Sequence, residues 1–144
     1  QLGQHPSKLV EPVLLDVALN HPGQYSLMAF AALRDRETVL SPGDMATILF
    51  APREDWDARI IQNGLNYPGL NDDQRGEILR RGAELISKRR NRYSVQQLRL
   101  LAQNCARYPN IEGMERVLGE LAKSGDEQVR AWANYGIDRF ELGI

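Results

Sequence analysis

Apolar residues return every three to four positions along nearly the whole chain, and this spacing predicts one helix after another. Between about 7 and 20, Leu9, Val10, Val13, Leu14, Val17 and Ala18 share a face. A short, very apolar stretch near 24–35 follows, with Leu27, Met28, Phe30, Ala31 and Leu33; its composition suits the centre of a helical stack. Ser41-Pro42-Gly43-Asp44 reads as a helix start: a hydroxyl at the N-cap, proline at the first helical position, and an acid in the first turn. The stretch near 54–66 opens in Glu54-Asp55-Trp56-Asp57 and carries Trp56, Ile60, Ile61 and Leu65. A long helix is predicted over about 72–90, capped by Asn71 with Gln74 three positions on. Ser94 and Gln97 repeat that capping-box pattern ahead of Leu98, Leu101, Ala102 and Cys105. Ile111, Met114, Val117, Leu118 and Leu121 mark a seventh helix, and Val129, Trp132, Ala133, Gly136, Ile137 and Phe140 an eighth near 126–142. No run alternates apolar and polar residues between hairpin turns, so the expectation is all-α.

Three of these helices end in one phrase. Gln62-Asn63-Gly64-Leu65-Asn66-Tyr67-Pro68-Gly69 is echoed by Gln103-Asn104-Cys105-Ala106-Arg107-Tyr108-Pro109-Asn110, and Asp16-Val17-Ala18-Leu19-Asn20-His21-Pro22-Gly23 is an earlier copy. The prolines stand at 22, 68 and 109, intervals of 46 and 41 residues. An aromatic or His, then Pro, then Gly or Asn is how a helix stops and turns. Proline drives its predecessor out of the helical region, and Gly or Asn tolerates the reversal. A helical unit recurring at this interval predicts stacked helix pairs, which bury their apolar faces only against their neighbours. The units are roughly 7–35, 54–90 and 95–124, with the helix near 41–50 and a terminal helix at 126–142 completing or capping the stack.

In repeat length the chain resembles the HEAT and armadillo class of α-solenoids. The tail Asp126-Glu127-Gln128-Val129-Arg130-Ala131-Trp132-Ala133 is similar to the Asp-x-x-Val-Arg-x-x-Ala helix start common in HEAT repeats, a signature that the other units lack. The resemblance implies a right-handed α–α superhelix of about eight helices. The tetratricopeptide pattern fits less well, since its period is too short and its Trp-x-x-Leu-Gly signature is missing.

Composition adds bounds rather than a function. The chain has 144 residues, 42% of them apolar and 26% charged, as expected of one ordinary globular domain. A single cysteine, Cys105, rules out an internal disulfide framework and falls on the apolar face of its helix, as a small core residue would. No stretch approaches the length of a membrane span. The chain begins at Gln1 with no charged-then-apolar leader, which predicts a processed product or a piece of a longer protein.

The net charge of −1 hides a segregation. Between Arg75 and Arg107 nine basic residues face only Glu77 and Glu84; residues 1–74 carry five basic and ten acidic residues, and residues 108–144 carry four and seven. The candidate binding residues are Arg80, Arg81, Lys88, Arg89, Arg90 and Arg92, with Tyr93 beside them, because guanidinium groups suit acidic partners and phosphates alike. The same cations also have a purely structural reading. Lys88 to Arg90 would stand in the last turn of a helix, where positive charge offsets the macrodipole and bonds the last carbonyls.

Other polar groups point to structure. Glu54, Asp55, Asp57, Asp72 and Asp73 lie in first turns of helices, where acids are favoured, and no calcium-loop spacing joins them. His21 aligns with Tyr67 and Tyr108 and is expected to pack a turn. No metalloprotease, nucleophile-elbow or phosphate-loop motif occurs, so neither a metal nor a cofactor is implied. The pairs Gln62-Asn63 and Gln103-Asn104 have two readings: an amide ladder for an extended ligand, or bonds to the adjoining turn.

These features predict a single non-catalytic helical-repeat domain, not an enzyme, that binds another macromolecule through its basic middle. The expected partner is a protein with an acidic surface. Nucleic acid on the same surface is the alternative, and a soluble accessory domain of a larger protein, of the membrane-embedded O-antigen-ligase glycosyltransferase kind, is a third.

Overall fold

The computed structural model describes residues 10–21, 23–52 and 58–142. Eight α-helices and no strand occur among them: α1 (Val10–Asn20), α2 (Gly23–Asp35), α3 (Pro42–Leu49), α4 (Ala58–Leu65), α5 (Asp72–Ser87), α6 (Val95–Cys105), α7 (Met114–Leu121) and α8 (Glu127–Glu141). The all-α reading is correct for the described residues, and no helix among them is long and apolar enough to cross a membrane. Leu9, Trp56 and the acids Glu54, Asp55 and Asp57 lie outside the described residues.

The start signals act as the sequence suggests. Ser41 Oγ accepts from the Asp44 amide, and Pro42 opens α3. Asn71 and Gln74 form a full capping box on α5, with both bonds under 3 Å. Ser94 and Gln97 form a second full box on α6, with bonds of 2.9 and 3.1 Å. Each box satisfies two amides that would otherwise lack a partner. Asp126 caps α8 through the Val129 amide. Its hydrogen-bonded pair with Arg99 holds its carboxyl down to about pKa 2. Helix α7 starts later than its apolar pattern, at Met114, because Gly113 before it takes a left-handed φ of 86°.

The core is centred on α3 and α5 rather than on the apolar α2. Met45, Ile48, Leu49 and Phe50 at the end of α3 are fully enclosed, as are Ile78 and Leu79 of α5, whereas Tyr25 and Met28 of α2 are exposed. The strongest helix pairings are α1 with α2, α3 with α5, and α8 with both α6 and α7. Glycines let these axes close up. A Cβ on Gly82 would stand 2.3 Å from the Phe50 ring, and one on Gly64 would stand 2.4 Å from the Leu49 side chain.

The two later copies of the repeated phrase build the same turn. The Tyr67 amide donates to the Gly64 carbonyl and the Leu70 amide to Tyr67; 41 residues on, Tyr108 donates to Cys105 and Ile111 to Tyr108. Tyr67 is buried against Phe30, with ring centroids 5.4 Å apart, and its hydroxyl donates to the Thr38 carbonyl. Burial pushes that hydroxyl up to about pKa 12. Tyr108 is half-buried. His21 departs from its alignment with them: it is exposed.

Cys105 is a core residue. It has no exposure, its thiol lies 3.9 Å from the Leu79 carbonyl, and burial pushes it up to about pKa 12. The folded protein should therefore react with a thiol reagent such as DTNB only through unfolding. At mildly alkaline pH we expect slow modification, rising to the free-thiol rate in guanidinium. Rapid reaction of the native protein would mean that α6 is not packed as described.

Candidate functional site

Helix α5 ends at Ser87, three residues before the basic pattern suggested. Lys88 is its C-cap, and the chain then tightens into a 3-10 turn at Arg90–Arg92 before α6 begins. The hinge is Arg89, whose φ of −137° and ψ of 39° leave the helical region. Short backbone bonds close the turn: Arg89 N–H to the Ile86 carbonyl, Arg92 to Arg89, and Tyr93 to Arg90.

What holds this turn is Tyr93. Its side chain is buried, and its hydroxyl donates to the Phe50 carbonyl at 2.6 Å, tying the α5–α6 connection to the end of α3. The sequence grouped Tyr93 with the binding cations. The structure turns it inward, because a phenol beside an unsatisfied helix-end carbonyl gains both burial and a hydrogen bond there. It is an anchor for the turn and presents no ring to a ligand.

The candidate cations fall into two groups. Arg80 bonds Glu84 at 2.6 Å and lies 4.0 Å from Glu77, while Arg81 lies 3.6 Å from Glu77. These pairs sit one helical turn apart along α5, so the only two acids of the basic stretch neutralise its first half. Arg75 is likewise paired with Asp72, and Arg99 with Asp126. Lys88, Arg89, Arg90 and Arg92 are exposed, and none of them takes part in an ion pair or side-chain hydrogen bond among the described residues. Nor do their side chains bond the last carbonyls of α5: Ser87 Oγ takes the Glu84 carbonyl, and the backbone amides of Lys88 and Arg89 take that of Ile86.

Beside this turn lies an apolar cleft of about 240 Å³ between α5, α6 and α7. Ala83, Ile86, Leu98, Leu101, Val117 and Leu121 form its walls, and Arg90, Arg116, Glu84 and Glu120 its rim. A second, polar groove of about 720 Å³ runs from Asn71 to Glu84 along α5, facing the loop before α7. Asp73, Glu77, Glu84 and Glu112 line it with Arg80 and Arg116. Among the described residues no three of His, Cys, Asp and Glu gather as a metal site requires.

The repeated amides also meet. Gln62 and Asn66 of the α4 end share a trough of about 380 Å³ with Gln103, Asn104 and Arg107 of the α6 end. An adjoining trough of about 360 Å³ joins Ala58 to Gln96, Gln103, Gln128 and Trp132. Asn104 is spent on the Leu100 carbonyl of its own helix, and Asn63 does not line the trough. Helical spacing alone could have foretold the pairing of Arg80 and Arg81. Neither the cleft nor the burial of Tyr93 has a local signal, since both depend on how α3, α5, α6 and α7 come together. Comparison of this chain with protein-family models, with curated proteins and with solved structures finds no match.

Proposed function

We propose that this chain is a non-catalytic helical-repeat scaffold, a right-handed superhelix of the HEAT and armadillo kind, that binds an acidic protein surface through the turn after α5. The observation that carries this reading is the set of four exposed, unpaired cations, Lys88, Arg89, Arg90 and Arg92, on a turn pinned by Tyr93. Unpaired surface cations on a fixed backbone steer an oppositely charged partner and lose little entropy on contact. Two features support the repeat: the matching hydrogen bonds of the Tyr67 and Tyr108 turns, and the shared trough of α4 and α6. A protein fits this surface better than nucleic acid. Single strands are held by aromatic rings alternating with cations, and the one aromatic residue within this turn is turned inward.

The test is a pull-down from the source cell's lysate, with and without nuclease, using the wild type and an Arg89→Ala/Arg90→Ala/Arg92→Ala variant. We expect a nuclease-resistant protein that the variant loses, with thermal stability unchanged because none of the three side chains bonds within the fold. Material recovered only without nuclease would transfer the surface to nucleic acid. A protein partner held equally by both forms would place binding elsewhere.

A further inference from the structure

The cleft between α5, α6 and α7 says what else the partner must carry. We propose that it receives one large apolar side chain from an acidic protein segment, whose flanking carboxylates lie on the Lys88–Arg92 turn. The inference deepens the function proposed above and rests on it.

Three observations carry it. The first is size: at about 240 Å³ the cleft falls below the roughly 300 Å³ at which small-molecule sites begin, and it suits a single buried anchor. The second is lining. Ala83, Ile86, Leu98, Leu101, Val117 and Leu121 offer an aliphatic surface, and the one hydroxyl in the lining, Ser87 Oγ, is already spent on the Glu84 carbonyl. The third is the state of the rim charges. Glu84 already holds Arg80 at 2.6 Å, and Glu120 lies 3.4 Å from Lys123. Arg90 and Arg116 take part in no ion pair among the described residues. The rim counts as neutral by composition, yet the charge it has left to offer is positive, continuous with Lys88, Arg89 and Arg92. An apolar pocket inside a cationic rim is complementary to an apolar side chain inside an acidic segment.

The probes are short fluorescein-labelled peptides of Glu and Asp with a single central Phe, and twins with Ser in its place, measured by fluorescence anisotropy at low salt. We expect the Phe peptide to bind at least about tenfold more tightly than its Ser twin, the effect of burying one large side chain. Ala83→Leu, which fills the cleft, and Leu98→Ser, which makes its wall polar, should each erase that preference while leaving Ser-twin binding unchanged. The unchanged twin also reports that either variant is folded. Arg89→Ala/Arg90→Ala/Arg92→Ala should weaken both peptides alike. Equal binding of the twins to the wild type, lost in the triple variant, would overturn the cleft inference and leave the basic-turn reading standing. Failure of both twins to bind the wild type would overturn both. A single-stranded oligonucleotide that outcompetes the Phe peptide and ignores the cleft variants would overturn both in favour of nucleic acid.

Discussion

Phe50→Ala is expected to cost about 3–5 kcal/mol of stability, the range for removing a fully buried aromatic ring. The ring is 1% exposed and closes the end of α3 directly over Gly82 of α5. Truncation leaves a hole whose opposite wall is a glycine, with no side chain to fall inward. The backbone at position 50 is held as well. Its amide donates to the Ala46 carbonyl, and its carbonyl accepts from Tyr93, so the end of α3 cannot collapse without breaking those bonds. Against a typical total of about 5–15 kcal/mol, the variant should keep only a fraction of its stability. Urea denaturation followed by far-UV circular dichroism measures the loss, with Val39→Ala as control. Val39 is 93% exposed, and its truncation should change stability by no more than about 0.5 kcal/mol. A loss under about 1 kcal/mol for Phe50→Ala would mean that α3 and α5 are not packed through this ring.

The same residue shows where sequence reading stops. Ser41, Asn71, Ser94 and Asp126 announce their helices, because a cap is a bond between near neighbours and near neighbours are written in order. Helical class and most helix ends follow from that local grammar. Nothing local marks Phe50. It follows a short helix that the pattern assigned to filling or capping the stack, and its importance comes from Gly82 and Tyr93, 32 and 43 residues away. His21 errs the other way: its alignment with two tyrosines predicts packing, and it is exposed. The basic stretch was legible as composition only. Spacing along α5 decides that Arg80 and Arg81 are spent on Glu77 and Glu84. The break of the helix at Lys88 decides that the later cations stand free of any acid.

Gly82→Ala is the second large effect, and its sign opposes helix propensity. In a helix interior alanine is favoured over glycine by about 1 kcal/mol, so propensity predicts a gain. The new Cβ would lie 2.3, 2.5 and 2.7 Å from three atoms of the Phe50 ring, distances that no packed carbon tolerates. The ring has no solvent to swing into, so α3 and α5 must separate, and we expect a net loss of about 1–3 kcal/mol. Gly119→Ala in α7 is the matched control: nothing lies within 4 Å of its Cβ, and it should stabilise by about 0.5–1 kcal/mol. A double variant separates contact from propensity. Phe50→Leu removes the ring that the added methyl would strike, so the two substitutions together should cost less than their separate costs combined. If Gly82→Ala stabilised the protein as Gly119→Ala does, the close approach of α3 to α5 would be refuted. The tether from Phe50 through Tyr93 to the basic turn would then lose its support.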